Sequence, residues 1–376
     1  MKHLTWFVLF TTATAFALQG FGGDSQRVFR LDGGDVTYVV GVNDTGQLQT
    51  IYWGKRLPLS QGFATPKSGE TSSSFDMSSN TTPQEFTGWG EGLYVEPDLK
   101  ITFPDGNRDL VLKYASHTAS RDELEVVMKD VSREIYVKVQ YQIDPATGIV
   151  RRSAEVSNCT GAPLTIEQVA SGTYHLPNAT NYQLHYVTGR WAGEWNLQQQ
   201  PIHRGKTVLE SRRGTTGSQN NPWIMIDHMS DHDQDRGDVW FAGLGWSGSW
   251  QIAIEQDVVE GVRVTGGPNV FDFSYYLKNG ETFQTPYFYG GFSGHGLGGA
   301  SRLLHRFEVD SLLPNAPHPK LRPILYNSWE ATTFGIDEAG QMTLAEKAAS
   351  LGVERFVMDD VTCPGKSLPV RTGVLS

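Results

Sequence analysis

Three prolines between Pro314 and Pro319 divide a chain of 376 residues into two stretches with different hydrophobic periods. A segment this rich in proline is a stiff linker, because proline donates no backbone hydrogen bond and resists helix and inner strand alike. Upstream, from about Ser25 to Phe307, short runs alternate apolar and polar residues, as in Val36 to Val40, Glu134 to Gln142 and Val239 to Gly243. Turn signals separate them, among them Pro104-Asp-Gly106, Asn158-Cys-Thr-Gly161 and Lys278-Asn-Gly280. Many short strands punctuated in this way predict packed antiparallel sheets. No stretch here has strong helical periodicity, and the region is long for one sandwich, so an extended, many-stranded version is expected. Lys67 to Asn80 reads as a long surface loop.

Downstream of the linker the period changes. Pro323 to Glu330 is an apolar strand with a Trp at its carboxyl end. Asp337 is placed to cap a helix over Glu338 to Leu351, with Leu344, Ala348 and Leu351 on one face and Gly352 as its stop. Arg355 to Asp360 is a second strand ending in an Asp pair. Strand, helix and strand make one right-handed βαβ unit. In a parallel (β/α) barrel, ligands and chemistry sit at the carboxyl ends of the strands. Trp329, Asp359 and Asp360 fall there. An Asp pair after a strand is also a common turn or cap element, and Trp329 could be a core aromatic. A whole barrel typically takes about 250 residues, far more than run from Leu321 to Ser376, so the sequence as written is expected to stop early in a barrel.

The length suggests two domains. A formal net charge of −10 without a basic cluster argues against a nucleic-acid partner. Lys2 and His3, the apolar run Leu4 to Phe16 and the small-x-small pattern at Ala15 to Ala17 read as a secretory signal. The run is shorter than the ~20 residues a membrane span needs, so a secreted, extracellular protein with no membrane segment is expected. Four Asn-x-Thr triplets, at Asn43, Asn80, Asn158 and Asn178, fit that route as glycosylation acceptors. The two cysteines, Cys159 and Cys363, make neither a disulfide scaffold nor a zinc site.

Weaker features favour structural readings. The acidic run Asp227 to Asp238 lacks the spacing of a calcium loop and reads as a solvated hairpin loop. Gly290 to Gly299 lacks the Lys-Ser/Thr end of a phosphate loop and reads as a mobile loop of the β domain. Trp191, Trp195, Trp223, Trp246 and Trp250 are mostly expected in the core.

Leu325 to Thr332, the helix that starts at Asp337-Glu338 and Phe356 to Asp360 together resemble the barrel entry of glycoside hydrolase family 36, the retaining α-galactosidases. Pro83 to Phe86, Gly92 to Pro97, Gly189 to Trp191, Glu210 to Gly214, Phe271 to Ser274 and Phe283 to Pro286 are similar to family landmarks. The likeness runs from about Val36 to Asp360. It implies a mainly β chain, with an N-terminal β-supersandwich over 25–313, the linker at 314–320 and the first β/α/β unit of an incomplete (β/α)8 barrel over 321–360. The signal would occupy 1–17, and 361–376 would be a tail outside the family pattern.

The resemblance implies that Trp329 walls a galactose subsite and that Asp359 and Asp360 accept hydrogen bonds from sugar hydroxyls. It further implies α-galactoside sugars as ligands, no cofactor, no metal, and homotetramers among full-length relatives. A retaining glycosidase needs two carboxyl groups about 5–5.5 Å apart, and the family draws both from later barrel strands. No catalytic residue is therefore assigned, and the chain as written is expected to lack hydrolysis. The alternative is a non-catalytic carbohydrate-binding or oligomerisation module. After Asp360 the resemblance is lost, so no disulfide between Cys363 and Cys159 is expected.

Overall fold

The computed structural model describes residues 27–71, 73–90, 92–229, 233–314, 316, 318 and 320–360. The signal at 1–17, the segment 361–376 and Cys363 lie outside them. The chain divides into two units, one running to Arg306 and the other beginning at Phe307.

Among the described residues, the strands of the first unit pair antiparallel throughout, accompanied by the α-helix Gly296–Phe307 and a 3-10 turn at Ser78–Asn80. Its main sheet begins at the edge strand Gly193–Pro201 and continues through Tyr182–Arg190, Asn220–His228, Val239–Gly245 and Tyr287–Ser293. It then passes through Val150–Asn158, Ile135–Ile143 and Glu123–Asp130 to the other edge, Leu112–Ala119. Three smaller sheets accompany it, built on Val36–Val42, on Val262–Pro268 and on Leu164–Val169. Alternation along Ile135–Ile143 is strict: every second residue is buried, as a sheet with one face on a core requires. Gly106 and Gly280 both sit at φ +80°, which only glycine adopts without strain, and they close the turns anticipated at Pro104-Asp-Gly106 and Lys278-Asn-Gly280.

Deep in this unit lies an ion pair with no solvent contact. Arg152 Nη1 is 2.9 Å from Glu85 Oε2, and both side chains are 0% exposed. The hydroxyl of Tyr38 donates to both Glu85 oxygens at 2.9 and 2.8 Å, and that of Tyr141 donates to Oε2 at 2.9 Å. The guanidinium lies 4.7 Å from the Tyr141 ring centroid and 5.1 Å from that of Tyr174. Nearly all of the pair's polar atoms are satisfied in this way, Arg152 Nε being the exception, and a buried charge pair needs such satisfaction to persist.

Two expectations fail here. The glycine-rich run Gly290 to Gly299 is not a mobile loop: its first residues complete the strand Tyr287–Ser293, and a helix follows at Gly296–Phe307. The glycines serve packing, since a Cβ on Gly290 would lie 2.5 Å from Tyr174 Cζ, and one on Gly291 would lie 2.1 Å from Phe241 Cζ. Nor are the tryptophans mostly interior. Trp250 is fully buried, but Trp191 and Trp195 are 83% and 73% exposed, and Trp246 is also exposed. Trp191 and Trp195 belong to the tip of the hairpin that ends the main sheet, where no neighbouring strand covers them.

The second unit contains the parallel strands Leu325–Asn327 and Arg355–Val357, paired Leu325 to Arg355 and Asn327 to Val357. Helix Glu338–Ser350 joins them. Asp337 caps it as anticipated, its Oδ1 accepting from the Gly340 amide at 2.9 Å. Gly352 follows at φ +88°, where the helix stops. Among the described residues, no helix is long and apolar enough to cross a membrane.

Candidate functional site

Trp329, Asp359 and Asp360 come together at the carboxyl ends of the two parallel strands. Asn327, the last residue of its strand, organises them. Its Oδ1 accepts from the Trp329 amide at 2.8 Å, and its Nδ2 donates to Asp359 Oδ2 at 2.6 Å. Ser328 is fully buried; its amide donates to the Val357 carbonyl at 2.9 Å, and its Oγ accepts from the Asp359 amide at 3.2 Å. Asn327 and Ser328 thus fix the Trp on one strand relative to the Asp on the other. Sequence reasoning did not single them out. The available signal was two short polar residues at the end of an apolar run.

The Trp329 indole is half-buried and meets Phe334 edge-on, with ring centroids 4.9 Å apart. The two aspartates differ. Asp359 is half-buried, and each of its oxygens already accepts one hydrogen bond, Oδ1 from the Asp360 amide at 2.8 Å. Each oxygen retains a second lone pair for a ligand hydroxyl. Asp360 is exposed, and its carboxylate makes no hydrogen bond among the described residues. An aromatic face beside two acceptor carboxylates suits the apolar side and hydroxyl rim of a sugar ring. Adjacent residues of one strand end do not flank a glycosidic bond from both sides, so this pair supplies recognition rather than the two opposed carboxyl groups of hydrolysis.

The glycosylation expectation is corrected at three positions. Asn43 and Asn158 are 0% exposed. Asn43 Nδ2 donates to Gln49 Oε1 at 2.8 Å, and Asn158 Nδ2 donates to the carbonyls of Ala162 and Leu277 at 2.8 and 3.1 Å. Asn80 is buried too, its Nδ2 turned to the Gly92 carbonyl at 3.3 Å. A glycan attaches through that nitrogen, so at these sites it would displace core contacts. Asn178 is exposed. In the acidic run, Asp227 is not a loop residue: it is buried in the strand Asn220–His228, with His185 Nε2 2.9 Å from its Oδ2. Cys159 is exposed.

An antiparallel β unit followed in sequence by a barrel-type βαβ, with Trp and Asp at the strand ends, is the arrangement expected where a glycoside hydrolase barrel begins. Residues 46–278 match the glycosyl hydrolase family 36 N-terminal domain, and residues 282–365 match the melibiase domain. The chain is 29% identical to alpha-galactosidase AgaA of Geobacillus stearothermophilus, over 89% of this chain and 49% of that protein. It is 30% identical to the "Probable alpha-galactosidase G" of Aspergillus terreus, over 88% of this chain and 48% of that protein. The crystal structure of AgaA superposes with a TM-score of 0.81, covering 89% of this chain and 50% of that one. A variant of that enzyme has been solved in complex with stachyose, with the same TM-score of 0.81. The chain belongs to glycoside hydrolase family 36, and it spans about half the length of the relatives it matches.

The family resemblance in the β unit rests partly on core groups. Glu85 and Phe86 of the Pro83 to Phe86 segment are both 0% exposed, and Glu85 holds the buried ion pair. Glu210 Oε2, in the strand Gly205–Ser211, accepts from Asn269 Nδ2 at 3.0 Å just beyond the strand Val262–Pro268.

Proposed function

We propose that the second unit recognises the terminal α-galactosyl residue of oligosaccharides such as raffinose and stachyose and of galactomannan. The tie from Asn327 to both Trp329 and Asp359 carries this reading, since it holds an aromatic wall and an acceptor carboxylate in a fixed relation. Trp329 stacks on the apolar face of galactose, and Asp359 and Asp360 accept from its hydroxyls. Hydrolysis with retention, the activity proposed for the whole protein, needs a nucleophile and an acid/base carboxyl that the described residues do not pair. No cofactor enters that chemistry. The 376-residue chain is expected to bind galactose without cleaving an aryl α-galactoside. Calorimetric titration with galactose and a chromogenic assay of the same preparation test this. Absence of saturable binding, or turnover above the background rate, would each defeat the reading.

A second reading draws on the β unit, as an association module for copies of the chain. Trp191, Trp195 and Leu197 are exposed on one hairpin, beside the open edge strand Gly193–Pro201. Uncovered edges and aromatic patches are where chains associate. Self-association into a homotetramer is the form proposed. Light scattering on the intact chain and on a Trp191→Ser/Trp195→Ser variant tests it, and an unchanged mass would reject it. Secretion is proposed on the N-terminal sequence alone, and Asn178 is the acceptor proposed for a glycan.

A further inference from the structure

The turn that follows Trp329 carries a backbone outlier. Thr333 has φ +45° and ψ −124°, close to the first central position of a type II′ turn, a conformation that ordinarily calls for glycine. The Gly335 amide closes the turn on the Thr332 carbonyl at 2.8 Å. Five non-glycine residues among those described have positive φ, and Thr333 alone of them is β-branched, the residue type such a conformation suits least. Its neighbours impose it. The Thr333 amide donates to the Trp329 carbonyl at 2.8 Å. The Thr332 hydroxyl donates to the Ser328 carbonyl at 3.1 Å and accepts from Nε2 of the buried Gln341 at 3.2 Å. The chain must also pass from the one-turn helix Trp329–Thr332 to the cap at Asp337 through a short link. Strain of this kind persists only where the surroundings over-determine it, and it gathers at ligand sites.

Phe334 is the residue this turn places. It is 54% exposed, so burial does not account for its position, yet its ring stands at 90° to the Trp329 indole with centroids 4.9 Å apart. Aromatic pairs of this geometry favour one orientation over the others. The indole has no hydrogen-bonded guide of its own: Asn327 ties the Trp329 amide, while Nε1 makes no hydrogen bond among the described residues. Stacking on a sugar face depends on the angle of the ring. A wall already held at that angle spares the cost of ordering it when the ligand arrives.

We propose that Phe334, aimed by the strained turn at Thr333, is a positioning residue that presets the Trp329 indole for the sugar face. The inference rests on the reading of Trp329 as the wall of a galactose subsite, and its test separates the two. The full chain is labelled with fluorotryptophan, and the fluorine NMR line of Trp329 is assigned by its loss in Trp329→Phe. Phe334→Leu keeps apolar bulk but loses the aromatic ring. It should shift or broaden that line and raise the Kd for galactose about three- to tenfold, with the melting temperature unchanged because the side chain is exposed. Phe334→Tyr should keep both the line and the affinity of the parent. Thr333→Gly, which suits the turn, should keep the line without lowering the urea midpoint. If the parent shows no saturable galactose binding, the galactose reading fails, and the Trp329 line still decides the role of Phe334. An unmoved line in Phe334→Leu, equal effects of Leu and Tyr, or a lower urea midpoint in Thr333→Gly would overturn the proposal.

Discussion

Glu85→Gln is the most severe single test of how the β unit is held together. The substitution nearly preserves shape but removes the charge facing Arg152, a guanidinium that cannot shed its proton. The amide nitrogen of Gln cannot accept, so one of the Tyr38, Tyr141 or Thr50 hydroxyls that now donate to Glu85 loses its acceptor. With both partners at 0% exposure, no water can enter without opening the core. Breaking such a pair costs about 3–5 kcal/mol, against a total stability on the order of 5–15 kcal/mol. With a slope of about 3 kcal/mol per M of urea, the midpoint should fall by about 1–2 M. Tryptophan fluorescence in a urea titration reads this directly. The double variant Glu85→Leu/Arg152→Met leaves neither charge buried alone and should cost less than the sum of its two single changes, although the Tyr38, Tyr141 and Thr50 hydroxyls then lose their acceptor. The reasoning is refuted if Glu85→Gln stays within about 1 kcal/mol of the parent, or if the double variant costs the sum of its two single changes.

Three further outcomes follow from the same core. Gly291→Ala forces a Cβ within 2.1 Å of Phe241 Cζ and should cost about 1–3 kcal/mol in a thermal melt; Gly62→Ala, where nothing lies within 4 Å, should cost far less. His175 is held at a pKa of about 3 by burial, against an ordinary value of 6.5, so between those pH values the unfolded chain binds a proton that the folded one does not. Stability should therefore fall by up to about 1.4 kcal/mol per pH unit as pH drops through that window. His175→Gln should remove that slope, as measured by urea unfolding at several pH values. Expressed through a eukaryotic secretory route, the Asn178→Gln variant should lose glycan mass, whereas Asn43→Gln should lose stability but no glycan.

What could be read from the sequence was local chemistry. An Asp preferring the cap position, a glycine required at φ +80°, and a strand that alternates with period two each declare themselves within a few residues. Sheet order does not. Val150–Asn158 pairs with Tyr287–Ser293, more distant in sequence than any local pattern can specify. The same limit explains the errors. Gly290 and Gly291 looked flexible because the rings of Tyr174 and Phe241 that require them are remote in sequence. An Asn-x-Thr triplet is a three-residue signal, whereas the burial of Asn43 and Asn158 is set by the whole sheet. Trp191 and Trp195 looked like core residues because hydrophobicity was visible and the sheet edge was not. At the site, Trp329 and the Asp pair could be placed at strand ends, but Asn327 and Ser328 acquire their roles only when the two strands pair.

The two units should therefore differ in local stability, and the difference bears on function. In the β unit, Val137 and Val139 are 0% exposed within a continuous ladder. In the second unit, two three-residue strands carry the site, and Leu321, Ile324 and Met358 are 98%, 62% and 53% exposed. Few buried contacts mean a low free energy of local opening. Amides of Leu325–Asn327 should consequently exchange with deuterium far faster than those of Ile135–Ile143. A ligand that binds only the closed form raises the opening free energy by RT ln(1 + [L]/Kd), about 2.7 kcal/mol at a hundredfold excess over Kd. Galactose at that excess should slow exchange in the second unit roughly a hundredfold and leave Ile135–Ile143 unaffected. Uniform exchange across both units, or no protection at saturating galactose, would mean that Trp329, Asp359 and Asp360 are not assembled as a binding surface in solution.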